Sequence, residues 1–153
     1  MTAITVRFQR LANNPDLPLP ARQTDGSVGY DIASAEEDFV LAPGEQRFVS
    51  AGFSVELPPN IECQVRPRSG FAREFGVVLL YSPCTIDPDY RGEICAPLWN
   101  TSMRDVLVKR GTRIAQLVFQ PACTPEVMEV GEIAVQTERG AKGFGSTGME
   151  SRP

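Results

Sequence analysis

No histidine occurs anywhere in the 153-residue sequence. That removes Ser-His-Asp and Cys-His nucleophile pairs and every histidine-held metal site. The four cysteines, Cys63, Cys84, Cys95 and Cys123, contain no C-x-x-C pair. Their spacing argues against a zinc site or dithiol redox chemistry, and for free thiols, buried or half-buried, in a reducing compartment. No run approaches the roughly 18 apolar residues of a membrane-spanning helix. Met1–Leu11 alternates polar and apolar residues where a signal peptide would be continuously apolar. The expected location is cytoplasmic. Basic residues are outnumbered 15 to 19, for a formal net charge of −4, so neither nucleic acid nor a membrane surface is an expected partner. Chemistry must then rest on carboxylates, hydroxyls, arginines or an ion that the ligand brings.

Long uninterrupted segments are also scarce. Glycine and proline number 13 each and are spread throughout, the longest stretch free of both being Met1–Asn14. Strands of five or six residues fit easily between such breaks, whereas helices of three turns have little room. Ile4, Val6 and Phe8 share one parity, as do Phe53, Val55 and Leu57, and Ile61, Cys63 and Val65. Val77–Tyr81 reads as a continuous buried run, and Asp105–Val108 and Ile114–Phe119 as further strands. Turns are expected at Pro15–Pro20, Asp25–Gly26, Pro43–Gly44, Pro58–Asn60 and Pro88–Asp89. One short helix fits Ser69–Phe75, with Ser69 as its N-cap. The expected fold is all-β, a sandwich or barrel of short strands. A chain of this length can bury a core without disulfides or metal staples.

What the chain does contain is a set of clusters suited to phosphate. Arg66-Pro67-Arg68-Ser69-Gly70 sets guanidinium groups beside a hydroxyl and a helix start; it reads either as a phosphate grip or as solvated arginines at a turn. Thr85-Ile86-Asp87-Pro88-Asp89-Tyr90-Arg91-Gly92-Glu93 gathers carboxylates and an aromatic around a Pro-Asp turn, which is either a rigid acidic rim or a polar turn. Asp31 is flanked by apolar residues and needs a partner, by default a salt bridge. Gln116 interrupts the apolar run Ile114–Phe119. The tail from Arg139, RGAKGFGSTGMESRP, has almost nothing to bury. It fits a disordered terminus or a flexible strap that closes over an anion; it is not a Walker A loop, since the lysine is misplaced. Asn100-Thr101-Ser102 is formally a glycosylation sequon.

Taken in order, GYDIASAEE, RPRSGFA, TIDPDYRGEI, GTRIAQL and RGAKGFGSTG resemble the five motifs of the trimeric dUTPase family, over Val28 to Gly148. The resemblance implies a jelly-roll (β-clip) subunit with one short helix, assembled as a homotrimer. It implies hydrolysis of dUTP to dUMP and pyrophosphate with Mg²⁺, in active sites shared between chains. It divides this chain into a β core, residues 1–138, and an arm, residues 139–153, that closes over a neighbour's site. By the same resemblance Asp87 is the general base that aims water at the α-phosphorus. A carboxylate is a weak base, so much of its value lies in positioning. Gln116 helps hold that water or a phosphate oxygen. Arg68, Ser69 and Gly70 bind phosphate, and Arg139, Gly145, Ser146 and Thr147 form the arm's clamp. Phe144 stacks on uracil, and Tyr90 lies against the sugar where a ribose hydroxyl would clash. The hairpin with Thr85 and Ile86 reads uracil through backbone hydrogen bonds. Asp31 sits near metal and phosphates, acting through water, while Mg²⁺ is held by the triphosphate and not directly by protein side chains.

Two positions depart from the family pattern. Cys84 stands where members usually carry glycine, and Tyr81 where close relatives often have asparagine; an altered base pocket is expected, with function retained. Two alternatives compete with this reading. A dCTP deaminase relative would need a glutamate where this chain has Pro97, which cannot move protons. A regulatory protein that binds dUTP without turnover would not need the catalytic positions, all of which are filled.

Overall fold

The structure is a computed structural model that describes residues 4–133, 137 and 139–143. Two compact units are present, Met1–Cys123 and Thr124–Pro153; the core–arm boundary expected at 138/139 falls inside the second. The first unit holds the strands β1 (Arg7–Arg10), β2 (Tyr30–Ala33), β3 (Phe39–Leu41), β4 (Gln46–Glu56), β5 (Ile61–Pro67), β6 (Val77–Leu79), β7 (Cys84–Ile86), β8 (Glu93–Asn100), β9 (Val106–Val108) and β10 (Arg113–Pro121). The one helix among the described residues, α1, spans Ser69–Phe75. The all-β expectation with a single short helix therefore holds.

Two four-stranded sheets, β1-β4-β8-β6 and β2-β10-β5-β7, and the ribbon β3-β9 are antiparallel throughout. Alternation drives this arrangement. Along β5, Ile61, Cys63 and Val65 are buried while Glu62, Gln64 and Arg66 are not, and the period-2 geometry of a strand sends these two sets to opposite faces. The buried sets of both sheets meet in one core, with Val49, Phe53, Ile94 and Leu98 from one and Ile32, Val65, Ile114 and Leu117 from the other. Burying such side chains contributes about 1.5–3 kcal/mol each before ordering entropy is set against it.

Two local expectations need correcting. Ser69 is the first helical residue and not the cap; Arg68, extended at φ −95° and ψ 126°, precedes the helix and makes no side-chain cap bond. The chain leaves the helix through Gly76 at φ 69°, a left-handed position that favours glycine. The run Val77–Tyr81 is not continuously buried: β6 is an edge strand that ends at Leu79, and Leu80 and Tyr81 are 37% and 50% exposed. Asn100, the sequon residue, is fully buried. Its amide donates to the carbonyls of Leu41 and Arg104, and its Oδ1 accepts from Ser102. The four cysteines are free, with Cys63 and Cys84 buried, Cys95 half-buried and Cys123 exposed.

Candidate active site

Two clefts gather the residues that the sequence singles out. The first lies where β2, β10 and the β5–α1 junction meet, lined by Gly29, Asp31, Arg68, Ser69, Gly70 and Gln116 among others. Sheet register brings these residues together: Gln116 of β10 stands opposite Asp31 of β2 on one side and Arg66 of β5 on the other. The Asp31 side chain is only 10% exposed. Its Oδ1 accepts from Arg68 Nε at 2.9 Å and its Oδ2 from Arg113 Nη1 at 3.0 Å, while Arg68 Nη1 reaches the Arg113 carbonyl at 3.0 Å. Two guanidinium groups against one carboxylate leave a positive surplus. Asp31 keeps one guanidinium if the other is removed, and only loss of both would leave its sheltered carboxylate uncompensated; the exposed Arg7–Glu56 bridge contributes at most about 1 kcal/mol. Gln116 donates from Nε2 to the Pro67 carbonyl at 2.9 Å, which leaves its Oε1 against Gly29. A Cβ at position 29 would overlap that oxygen.

The second cleft lies along β7 and the start of β8, lined by Phe48, Tyr81, Cys84, Thr85, Asp87, Tyr90 and Glu93 among others. Pairing of β7 with β5 sends Cys84 and Ile86 inward and leaves Thr85 exposed. Asp87 follows directly, exposed, and the Tyr90 amide closes the turn onto its carbonyl at 3.1 Å. Tyr90 Oη donates to the Glu93 carbonyl at 3.0 Å. Beneath them the Cys84 thiol donates to the Tyr81 carbonyl at 2.9 Å. Burial pushes this thiol up to about 11, so it packs as a neutral group and is a poor nucleophile. The two clefts share no lining residue. The lining of the second includes two carboxylates and neither arginine nor lysine.

A family model described as dUTPase matches residues 16–148. The chain belongs to the dUTPase family. It is 43% identical to the deoxyuridine 5'-triphosphate nucleotidohydrolase of Caldanaerobacter subterraneus subsp. tengcongensis over 148 residues, 96% of this chain and 99% of that one. Among solved structures, the dUTPase of Staphylococcus bacteriophage 80alpha with dUPNHPP superposes with a TM-score of 0.81 at 29% identity, covering 94% of this chain and 98% of the other. A point mutant of the dUTPase from phage phi11 of S. aureus, described with a coordinated structural Mg(II) ion, gives 0.76 at 25% identity over 86% and 99%.

Within this dUTPase fold, the residues expected from the sequence divide between the clefts. Asp31, Arg68, Ser69, Gly70 and Gln116 line the first; Thr85, Ile86, Asp87 and Tyr90 line the second. Arg139 lies in the second unit, exposed, its Nε donating to the Lys142 carbonyl at 3.1 Å. Phe144, Gly145, Ser146 and Thr147 lie outside the described residues. The salt bridge expected of Asp31 is present and doubled. Two residues were given no part in the sequence reading, Arg113 and Gly29, and Glu93 was read only as one carboxylate of its turn. Gly29 and Arg113 stand inside the quoted motifs GYDIASAEE and GTRIAQL. Pairing with Asp31 and contact with Gln116 appear only once β2 and β10 are set in register.

Proposed function

We propose that the chain hydrolyses dUTP to dUMP and pyrophosphate, and that it does so as a homotrimer with active sites shared between subunits. One observation carries this reading: the carboxylate suited to aiming water and the cationic cluster suited to phosphate occupy different clefts of the same chain. Asp87 stands in a cleft lined by carboxylates without arginine or lysine, which repels a triphosphate. Arg68 and Gln116 line a cleft whose carboxylate, Asp31, is shared with a second guanidinium from Arg113, so positive charge is in excess around it and attracts a triphosphate. Setting one chain's Asp87 cleft against another's Arg68 cleft joins the two halves. Phe48, Tyr81 and Trp99, exposed at 58%, 50% and 37%, supply apolar surface for such an assembly.

In this site the base and sugar enter the Asp87 cleft, with Thr85, Ile86 and Tyr90 beside them, and the phosphates reach a neighbour's Arg68, Ser69 and Gly70. Asp87 accepts a proton from water as that oxygen attacks the α-phosphorus; pyrophosphate leaves and dUMP remains. Gln116 fixes the water or a phosphate oxygen. The arm, residues 139–153 with Arg139, Phe144, Gly145, Ser146 and Thr147, closes over a neighbouring site and excludes solvent. Mg²⁺, when bound, neutralises phosphate charge and orients the chain of phosphates. No group of three or more Cys, Asp or Glu gathers around an ion position among the described residues, and both Asp31 oxygens already accept from arginine. The donors that fit Mg²⁺ are therefore triphosphate oxygens and water, with Asp31 reaching it through water. A cytoplasmic setting accords with the free thiols, and no helix among the described residues is long and apolar enough to cross a membrane.

The test is a hydrolysis panel of dUTP, dTTP, UTP and dCTP, with and without Mg²⁺, on protein whose mass in solution is measured alongside. Pyrophosphate from dUTP alone, dependent on Mg²⁺ and made by a trimer, is expected. A monomer at full activity overturns the shared site; tight dUTP binding without turnover favours a regulatory role instead.

A further inference from the structure

We infer that Glu93 is a positioning residue for sugar recognition, holding Tyr90 against the nucleotide through its own backbone while its carboxylate pins the strand. The inference deepens the reading of the Asp87 cleft given above and rests on it. Tyr90 is 44% exposed, and a ring that open would sample several rotamers unless its tip were tied. The tie is the 3.0 Å bond from Oη to the Glu93 carbonyl. Only glycine at position 92 permits it, since a Cβ there would overlap the phenol oxygen.

The acceptor is the first residue of β8, so the ring goes where that strand end goes. Regular pairing does not secure this end: the β4–β8 register shifts between Ser50 and Ser54, and Glu93 stands opposite Ser54, at the edge of the shift. The Glu93 carboxylate spans the irregularity. Its Oε1 accepts from the Ser50 hydroxyl and from Asn13 Nδ2, the latter at 2.9 Å. Asn13 Nδ2 also donates to Ser50 Oγ at 2.9 Å, and Ser50 Oγ accepts from the Gly52 amide at 3.0 Å. Hydrogen bonds to an ionised acceptor are roughly twice as strong as neutral ones, and these reinforce a strand end where the ladder is irregular. With Oε1 accepting twice, from β4 and the β1–β2 loop, the carboxylate is committed to the strand end, and Glu93 acts through Tyr90.

Steady-state kinetics on the full chain with dUTP and UTP test this, using Glu93→Ala, Glu93→Gln, Tyr90→Phe, Gly92→Ala and the Glu93→Ala/Tyr90→Phe double variant. Glu93→Ala is expected to raise KM for dUTP about tenfold, to erode the preference over UTP, and to leave kcat within about threefold. Glu93→Gln, which keeps the Oε1 acceptor, should recover most of that loss. The double variant should be no worse than the poorer single one, as for members of one chain of contacts. Gly92→Ala, in an exposed turn, should repeat the KM effect even if Glu93→Ala fails to fold. A fall in kcat at unchanged KM, a Glu93→Gln as poor as Glu93→Ala, or fully additive losses would overturn the inference. Tyr90→Ala separates the layers. If it leaves KM and sugar preference untouched, the reading of the cleft itself is wrong. If it is damaging while Glu93→Ala and Gly92→Ala are silent, the reading stands and the inference alone falls.

Discussion

The cleft at Asp31 is organised by charge: one sheltered carboxylate holds two guanidinium groups, while a glutamine beside it is fixed by a backbone carbonyl. The cleft at Asp87 is organised by backbone, with a short strand turning sharply so that an exposed acid, a tyrosine and a buried thiol follow each other within a few residues. The first therefore tolerates little change in electrostatics, and the second little change in chain path. The two clefts are thus built from different kinds of residue, ion pairs in one and glycine, turn and hydrogen-bonded carbonyl in the other.

Asp87→Asn should break the comparison most severely. With the acceptor for the water's proton gone, kcat for dUTP is expected to fall by about 10²–10⁴ while dUTP affinity, measured by calorimetry, stays near that of the parent. A loss of affinity with little loss of turnover would make Asp87 a binding group. Gly29→Ala should strike the other cleft less hard. The new methyl would force the Gln116 amide aside, a displacement at the tip of a flexible side chain that costs little in folding but about tenfold or more in kcat, with melting temperature nearly unchanged. Equal activity would mean that the Gln116 position is not used.

The smallest effect concerns pH. Cys63, on β5 opposite Ile86 of the Asp87 cleft, is pushed up to about 12, first by burial and then by the charge of Glu62. In the unfolded chain such a thiol ionises near its ordinary value of 9.0. Unfolded protein thus sheds the proton at a pH where folded protein keeps it, and stability falls as pH rises from about 9 toward 12. Melting curves across that range should show a shallower alkaline decline in Cys63→Ala than in the parent; parallel curves would assign the decline elsewhere.

Most strands were legible because alternation is a local property, and Ile61, Cys63 and Val65 declare their burial within a few residues. That Asp87 and Tyr90 flank one turn was legible for the same reason, since the turn is contiguous. The pairing of Arg113 with Asp31 was not, because it depends on which residue of β10 faces which residue of β2. The closeness of Gly29 to Gln116 has the same origin. Ser69 looked like a cap because hydroxyls favour that place, yet Arg68 is the residue in extended geometry and the helix begins one position earlier than a cap at Ser69 implies. Leu80 and Tyr81 carry apolar side chains but follow the end of an edge strand, where burial by a single chain stops.

Asn100 has one more consequence, for production of the protein. Its side chain is sealed inside the subunit, holding two carbonyls and the Ser102 loop, yet the tripeptide it begins is an acceptor for oligosaccharide transferase. In a secreting host the enzyme would meet that tripeptide on the nascent polypeptide, ahead of folding. A sugar attached then would have no room inside the finished subunit. Manufacture in a compartment without that transferase keeps the loop closed.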